Sequence, residues 1–303
     1  MVKAVERAHA IGATALQVFA DNPTSWRRRP TPPRELPAFR DRLLAYGIGP
    51  VAIHAPYLIN LAGPEETFFG RSIAVLANDL RVAPEFRARF LNIHIGSHIG
   101  TGSEAGIERL AEGLRLALAE VDDGPDATMV VLENSAGSGF GLGIDVAELA
   151  AIAEAIDARG VPAARVGFCL DTAHGWAAGI DLADPARADA VLADFDNRIG
   201  LDRLVMIHLN DSKSELGSRL DRHEHVGAGR IGATGLAHLL CHPALGGVTF
   251  LLETPGMDEG YDAVNMDRVR DLVAGRPLAT LPPEAMSVRS SRNRSGPPQG
   301  PGE

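Results

Sequence analysis

A parallel strand–helix barrel of the TIM (β/α)8 type is the fold predicted for this chain, and three observations predict it. Seven short apolar runs recur along the sequence, longer amphipathic segments separate them, and each run is apolar nearly throughout instead of alternating. Strands without alternation are those covered on both faces, which is how parallel sheets are buried. Strand followed by helix, repeated, implies such a sheet, and seven repeats are too many for a small sandwich. A chain of 303 residues suits one barrel of about 250 residues with a tail.

The strand candidates, in order, are ALQVFA (15–20), VAIHAPY (51–57), FLNIHIG (90–96), MVVLENS (129–135), VGFCLD (166–171), VMIHLND (205–211) and TFLLET (249–254). Between them, SEAGIERLAEGLRLALAEV (103–121) reads as a helix with Ser103 as N-cap and Ile107, Leu110, Leu114 and Leu118 on one face. DVAELAAIAEAIDARG (145–160) reads as a second, closed by Gly160. From residue 281 the sequence LPPEAMSVRSSRNRSGPPQGPGE loses all periodicity. The expected organisation is therefore a barrel domain over 1–280 and a disordered tail over 281–303.

Composition excludes several classes. Hydrophobic residues make up 45% of the chain, enough for a large core, but no apolar run approaches the roughly 20 residues that span a bilayer. The opening MVKAVERAHAIGATAL lacks the layout of a signal peptide. A cytoplasmic protein with no membrane partner is expected. The two cysteines, Cys169 and Cys241, form neither a disulfide framework nor a C-x-x-C motif. A net charge of −10 opposes whole-surface attraction to nucleic acid, yet it counts carboxylates that bound cations would neutralise.

Polar residues supply the functional signal. His54, His94, Glu133, Asp171, His208 and Glu253 each fall in or at the C-terminal end of a different strand, and in a parallel barrel those ends share the face on which active sites are built. A strand carboxylate is costly to bury unless paired or ligating. His174 follows in DTAH, and Asp221 and His223 stand in DRH, within the crowded stretch 208-HLNDSKSELGSRLDRHEHVGAG-229. Taken alone that stretch also fits a solvated loop. Nine nitrogen and oxygen donors without cysteine suit two or three zinc or manganese ions better than a structural zinc site.

The stretches HAPYLINLAGP (54–64), LNIHIGSHIGTGSEAG (91–106), VVLENSAGSGFGLG (130–143), VGFCLDTAHGWAAGIDL (166–182) and HLNDSKSELGSRLDRHEHVGAGRIG (208–232) together resemble the endonuclease IV family of DNA repair enzymes, over the chain's start to about residue 275. The resemblance implies a trinuclear zinc barrel, with manganese an alternative at one site, that cuts double-stranded DNA at abasic sites in base excision repair. It assigns His54 and His94 to one ion, with Glu133 bridging to a second held also by Asp171, His208 and Glu253. His174, Asp221 and His223 would hold the third. Glu133 would set the spacing of the ions and Glu253 would also orient or deprotonate the attacking water. The expected products are a 3′-hydroxyl and a 5′-deoxyribose phosphate, with 3′-end cleaning as a related activity.

DNA contacts are expected at Tyr57, Trp26, Asn22, Lys213 and Arg219, with Arg27, Arg28 and Arg29 near phosphates and Thr24 where a family member carries Arg. Packing or ordinary solvation is the competing reading for these residues, and a structural role is expected for His98, Glu224 and His225. A monomer is expected. The chain opens in what looks like the first helix, so one barrel strand is expected to be missing, with the strand encoded upstream or a shortened form as the two explanations. A sugar isomerase or epimerase of the xylose-isomerase type, and a DNA-lesion binding protein without turnover, are the competing functions; the former needs no third ion.

Overall fold

The computed structural model describes residues 1–121, 124 and 127–288. Its elements run α1 (Val2–Ala10), β1 (Leu16–Val18), α2 (Leu36–Tyr46), β2 (Val51–His54), α3 (Glu66–Val82), β3 (Ala88–His94), α4 (Ser103–Ala119), β4 (Met129–Glu133), α5 (Val146–Ala158), β5 (Val166–Asp171), α6 (Thr172–Ala178), α7 (Pro185–Arg198), β6 (Leu204–His208), the paired β7 (Asp211–Ser212) and β8 (His223–Glu224), α8 (Gly232–Cys241), β9 (Thr249–Leu251), α9 (Tyr261–Val273) and α10 (Pro283–Ser287). All seven expected strands form. They make one parallel sheet in the order β1-β2-β3-β4-β5-β6-β9, a TIM barrel lacking one strand.

Alternation along the strands sorts the core into two bodies. Outward residues such as Ile53, Leu91, Val130, Leu132, Phe168 and Ile207 pack under the helices. Inward residues Ala52, Phe90, Val131, Cys169, Met206 and Leu251 form a separate apolar plug inside the barrel. Two residues further along each strand the next inward position falls above that plug, at the barrel's C-terminal mouth. The helices start where local chemistry dictates. The Asp145 carboxylate caps α5 by accepting from the Glu148 amide at 2.8 Å, and α4 begins at Ser103 itself, capped by Gly102 rather than by the expected Ser103. Gly102 has φ +98°, a conformation glycine reaches without strain, so the boundary falls one residue earlier.

The sheet ends at β1 and β9, and no ladder joins them among the described residues. Both edge strands are only partly buried, whereas β2 and β5 are buried at every position. Side chains span this seam instead. Gln17 on β1 donates from Nε2 to Glu253 Oε1 at 2.8 Å, Arg7 of α1 donates to Asp262 of α9 at 2.9 Å, and Arg270 of α9 donates to the Ile11 carbonyl.

The segment after 280 departs from its expected disorder. α10 docks with Ala285 fully buried; the Ala285 carbonyl meets His225 Nε2 at 3.0 Å and Arg268 donates to the Ala279 carbonyl at 2.7 Å. Prolines and a single apolar anchor hide such a strap from any periodicity test. Residues 289–303 of the expected tail lie outside the described residues. Among the described residues no helix is long and apolar enough to cross a membrane.

An edge strand offers unpaired backbone groups to water, and weakly paired segments open at low free-energy cost. Hydrogen exchange should therefore show the amides of Leu16–Val18 and Thr249–Leu251 exchanging faster than those of β4 and β5; equal protection would mean that the two edges pair in solution.

Candidate metal centre

The register of the sheet brings the polar residues to one level. His94 pairs with Glu133, and Asp171 with His208, so their side chains enter the same mouth. Three groups of ligand-type residues form there, each with donor atoms within 4.8 Å of one another: His54, His94 and Glu133; Glu133, Asp171, His208 and Glu253; and Asp171, His174 and His223. Asp221 joins the last, its oxygens 3.3 Å from His174 Nε2 and 3.0 Å from His223 Nε2. All nine candidate ligands are thus together, with Glu133 and Asp171 each common to two groups.

Glu133 is the hub. Its Oε2 accepts from Asn92 Nδ2 at 2.6 Å and lies 3.5 Å from His54 Nε2. Its Oε1 lies 3.1 Å from His174 Nδ1 and 3.5 Å from His208 Nδ1. Hydrogen bonds behind the rings orient them. His54 Nδ1 and His223 Nδ1 face the Ala55 and Glu253 carbonyls at 2.7 and 2.8 Å, and His174 Nδ1 faces the Asn134 carbonyl at 3.0 Å. A carbonyl can only accept, so each Nδ1 carries a proton, and it is the neutral ring whose Nε2 presents a lone pair to the cluster. His208 is reversed: Nε2 meets Gln17 Oε1 at 3.1 Å, which leaves Nδ1 facing the carboxylates.

Whether a metal fits is tested by the buried atoms. His54 Nε2, Glu133 Oε1, His208 Nδ1 and His223 Nε2 are buried without a hydrogen bond of good geometry, each with an oppositely charged or chargeable atom 3.0–3.5 Å away. Buried polar atoms are normally satisfied, and a concentration of exceptions with lone pairs converging fits divalent ions held by nitrogen and oxygen. The electrostatics agree. Burial opposes charge on Glu133, but the neighbouring His94 and His208 hold its carboxyl well below the ordinary range. Burial likewise opposes protonation of His174 and His223, yet Asp171 and Asp221 pull both rings upward, His223 to about 9. Without metal, protons supply the positive charge that the carboxylates demand.

Several residues that sequence reasoning passed over complete the site. Gln17 joins Glu253 to His208 across the seam. Asn210 donates to Asp171 Oδ2 at 2.8 Å and accepts from the Glu253 amide at 2.8 Å, while Asn134 accepts from the Asp171 amide at 2.6 Å. Asp211, buried and not a ligand, accepts from the amides of Ser212, Gly229, Ile231 and Gly232 and so folds the crowded 208–232 segment. Gly229 passes so close that any side chain there would meet this carboxylate. Asn92, Asn134 and Asn210 each stand one or two positions from a ligand in the strand motifs. For Asn92, a polar residue at an inward position of an apolar strand was the available signal.

The expected DNA contacts divide. Tyr57, 42% exposed, lies over the cluster with its ring 5.4 Å from His54 and 6.1 Å from His94, and the exposed Phe19, not foreseen, packs edge-on against it at 5.7 Å. Trp26 is half-buried against the core and tilts onto Phe68 at 6.0 Å, which is packing. Asn22 Oδ1 accepts from the amide and hydroxyl of Thr24, holding a turn. Lys213 Nζ is 3.5 Å from Glu224 Oε2. Arg219 is exposed at φ +59° with its stem beside Gly137. His98 and His225 are structural, accepting from the Gly102 amide and meeting Asn265 Nδ2 respectively.

Two outcomes follow. His223 is raised from 6.5 to about 9, so its stabilising charge in metal-free protein is complete below 6.5 and lost as pH rises through 9. Metal needs the neutral ring; zinc titrated at pH 7.5 should release protons and bind more tightly as pH rises, measured calorimetrically in buffers of different ionisation enthalpy. Heat independent of buffer would contradict this. Gln17→Leu keeps the volume but frees His208 and Glu253, and should weaken zinc retention about 10–100-fold in chelator competition, with the fold intact by circular dichroism.

Comparison with known proteins agrees with this geometry. The family model described as a xylose isomerase-like TIM barrel matches residues 5–274. The chain is 42% identical over 270 residues to a protein of Methanoculleus marisnigri named probable endonuclease 4, covering 89% of this chain and 94% of that one. It is 39% identical over 274 residues to a protein of the same name from Chloroflexus aurantiacus, covering 90% and 94%. The crystal structure of endonuclease IV from Thermus thermophilus superposes with a TM-score of 0.76 at 38% identity, covering 90% of this chain and 94% of that one. With its barrel, its polar mouth and these relatives in agreement, the chain belongs to the endonuclease IV family.

Proposed function

We propose that the protein is a zinc-dependent endonuclease that hydrolyses the phosphodiester 5′ to an abasic site in double-stranded DNA, leaving a 3′-hydroxyl and a 5′-deoxyribose phosphate, and that the same site trims blocked 3′ ends. The observation that carries the reading is the nine-residue cluster in which Glu133 is shared between two ligand groups. The names of its relatives support the nuclease class. His54, His94 and Glu133 would hold one ion, Glu133, Asp171, His208 and Glu253 a second, and His174, Asp221 and His223 a third. A third ligand set is more than an isomerase of this barrel type requires.

Closely spaced divalent ions, when bound, make water a nucleophile near neutral pH and offset charge on the transferring phosphoryl and its leaving oxygen. This chain's residues do the rest. Gln17 fixes one oxygen of Glu253, and the Asn210 side-chain Oδ1 accepts from its amide, so the carboxylate keeps one orientation from which to align or deprotonate the attacking water. Tyr57 and Phe19 form an aromatic rim beside the mouth, suited to wedging into a duplex at a position with no base. An extruded abasic sugar costs little unstacking, and selectivity then rests on the size of the mouth. A groove of about 490 Å³ lined by Arg27, Arg29 and Arg34, together with Asp21, offers phosphate contacts in an otherwise acidic chain, while Arg28 is turned inward onto the Asn22 and Ser25 carbonyls and Asp79.

The test is nicking of a duplex with one abasic site. Wild-type protein should cut 5′ to the lesion and lose activity to a strong chelator, and elemental analysis should return three tightly held ions, mostly zinc. Glu253→Gln should lower kcat by at least about 100-fold, the scale of a lost general base, while still binding the abasic duplex. Near-wild-type kcat in that variant would remove Glu253 from the chemistry, and failure of the wild type to nick at all would favour a binding protein.

A further inference from the structure

On the outer helical layer, away from the barrel mouth, lies a fourth group of ligand-type residues: Asp189, His238 and His242, with donor atoms within 4.8 Å of one another. Asp189 comes from α7; His238 stands in the last turn of α8, and His242 follows four residues later as its C-cap. Residues four apart share a face of a helix, the spacing by which paired histidines grip one ion. One oxygen, Asp189 Oδ1, lies 2.5 Å from His238 Nε2 and 3.4 Å from His242 Nε2, and the two rings stand 5.6 Å apart. We infer that these three side chains form a surface site for a divalent transition ion of the zinc type, which clamps α7 to the end of α8.

The geometry is near what the ion needs. Tetrahedral bonds of about 2.0–2.1 Å set neighbouring donors about 3.3 Å apart. The Asp189–His242 pair already has that separation; the Asp189–His238 pair must open by somewhat under ~1 Å, cheap for a half-exposed carboxylate. Two imidazoles select zinc-like ions over magnesium or calcium. All three residues are partly accessible, with side-chain exposures of 53%, 26% and 18%, so water completes the coordination. His242 Nδ1 accepts weakly from the Ala244 amide at 3.3 Å. Binding at Nε2 moves the ring proton to Nδ1 and gives up that contact, which makes this a weaker site than the mouth. Arg187, two residues from Asp189, is paired with Asp181 and Asp184.

The position gives the ion a purpose. α8 leads through Pro243–Leu245 into β9, the seam strand that precedes Glu253. An ion joining α7 to His242 anchors the approach to the least supported edge of the sheet, and it stabilises the fold by mass action, increasingly as free zinc rises above its dissociation constant.

The experiment is equilibrium dialysis of untagged, zinc-loaded protein against stepped, buffered concentrations of zinc chloride, followed by elemental analysis and thermal melting. Wild-type protein should take up one ion more than its tightly held complement at micromolar free zinc, with a rise in Tm. The double variant His238→Gln/His242→Gln should lack that ion and that rise, and Asp189→Asn should weaken uptake by about 10-fold or more. All should retain the tightly held ions, which also reports that they fold. Equal uptake by wild type and double variant, or no extra ion in the wild type, overturns the proposal. The readout is metal content, so it is independent of whether the protein cuts abasic DNA.

Discussion

Everything at the barrel mouth answers to the burial of Glu133. A carboxylate shut away from water is costly unless positive charge is brought to it, and here His54, His174 and His208 all lie within 3.5 Å. Those rings in turn need Asp171, Asp221 and Glu253 to hold them. The cluster is thus a closed system of opposite charges, in which removing one member leaves the others stranded. Its backing of asparagines matters for the same reason. Asn92 holds one oxygen of Glu133, Asn134 the backbone of Asp171, and Asn210 one oxygen of Asp171 and the amide of Glu253, which fixes the carboxylates they back.

The apolar plug beneath explains why this charge stays where it is. Ala52, Phe90, Val131, Cys169, Met206 and Leu251 fill the barrel one layer below the ligands, so the floor of the cluster is apolar. Burial pushes the Cys169 thiol up to about 11, so it is a neutral packing group in the apolar plug.

Much of this was legible in the sequence. The seven strands, their apolar character and the six polar residues in or at their ends were all local signals, because a parallel barrel enforces one alternation and one functional face. What escaped notice depended on contacts between distant segments. Gln17 looks like an ordinary interruption of ALQVFA until β1 and β9 are side by side. Asp211 looks like another ligand candidate until four amides converge on it. α10 carries no periodicity, and only its docking reveals it. For Trp26 and Asn22, expected at a DNA contact with packing as the competing reading, the neighbours that each touches are set by the fold and not by spacing.

The docked segment through Val288 is a mechanical part of the candidate metal centre. Ala285 is tied to His225, two residues from His223, and the Val288 carbonyl accepts from Lys213, which directly follows the strand paired with β8. Load applied beyond residue 288 would travel through this strap into the hairpin that presents His223. For anyone cutting or tethering the chain near Val288, that segment is therefore a lever on one candidate ligand set and not an inert handle.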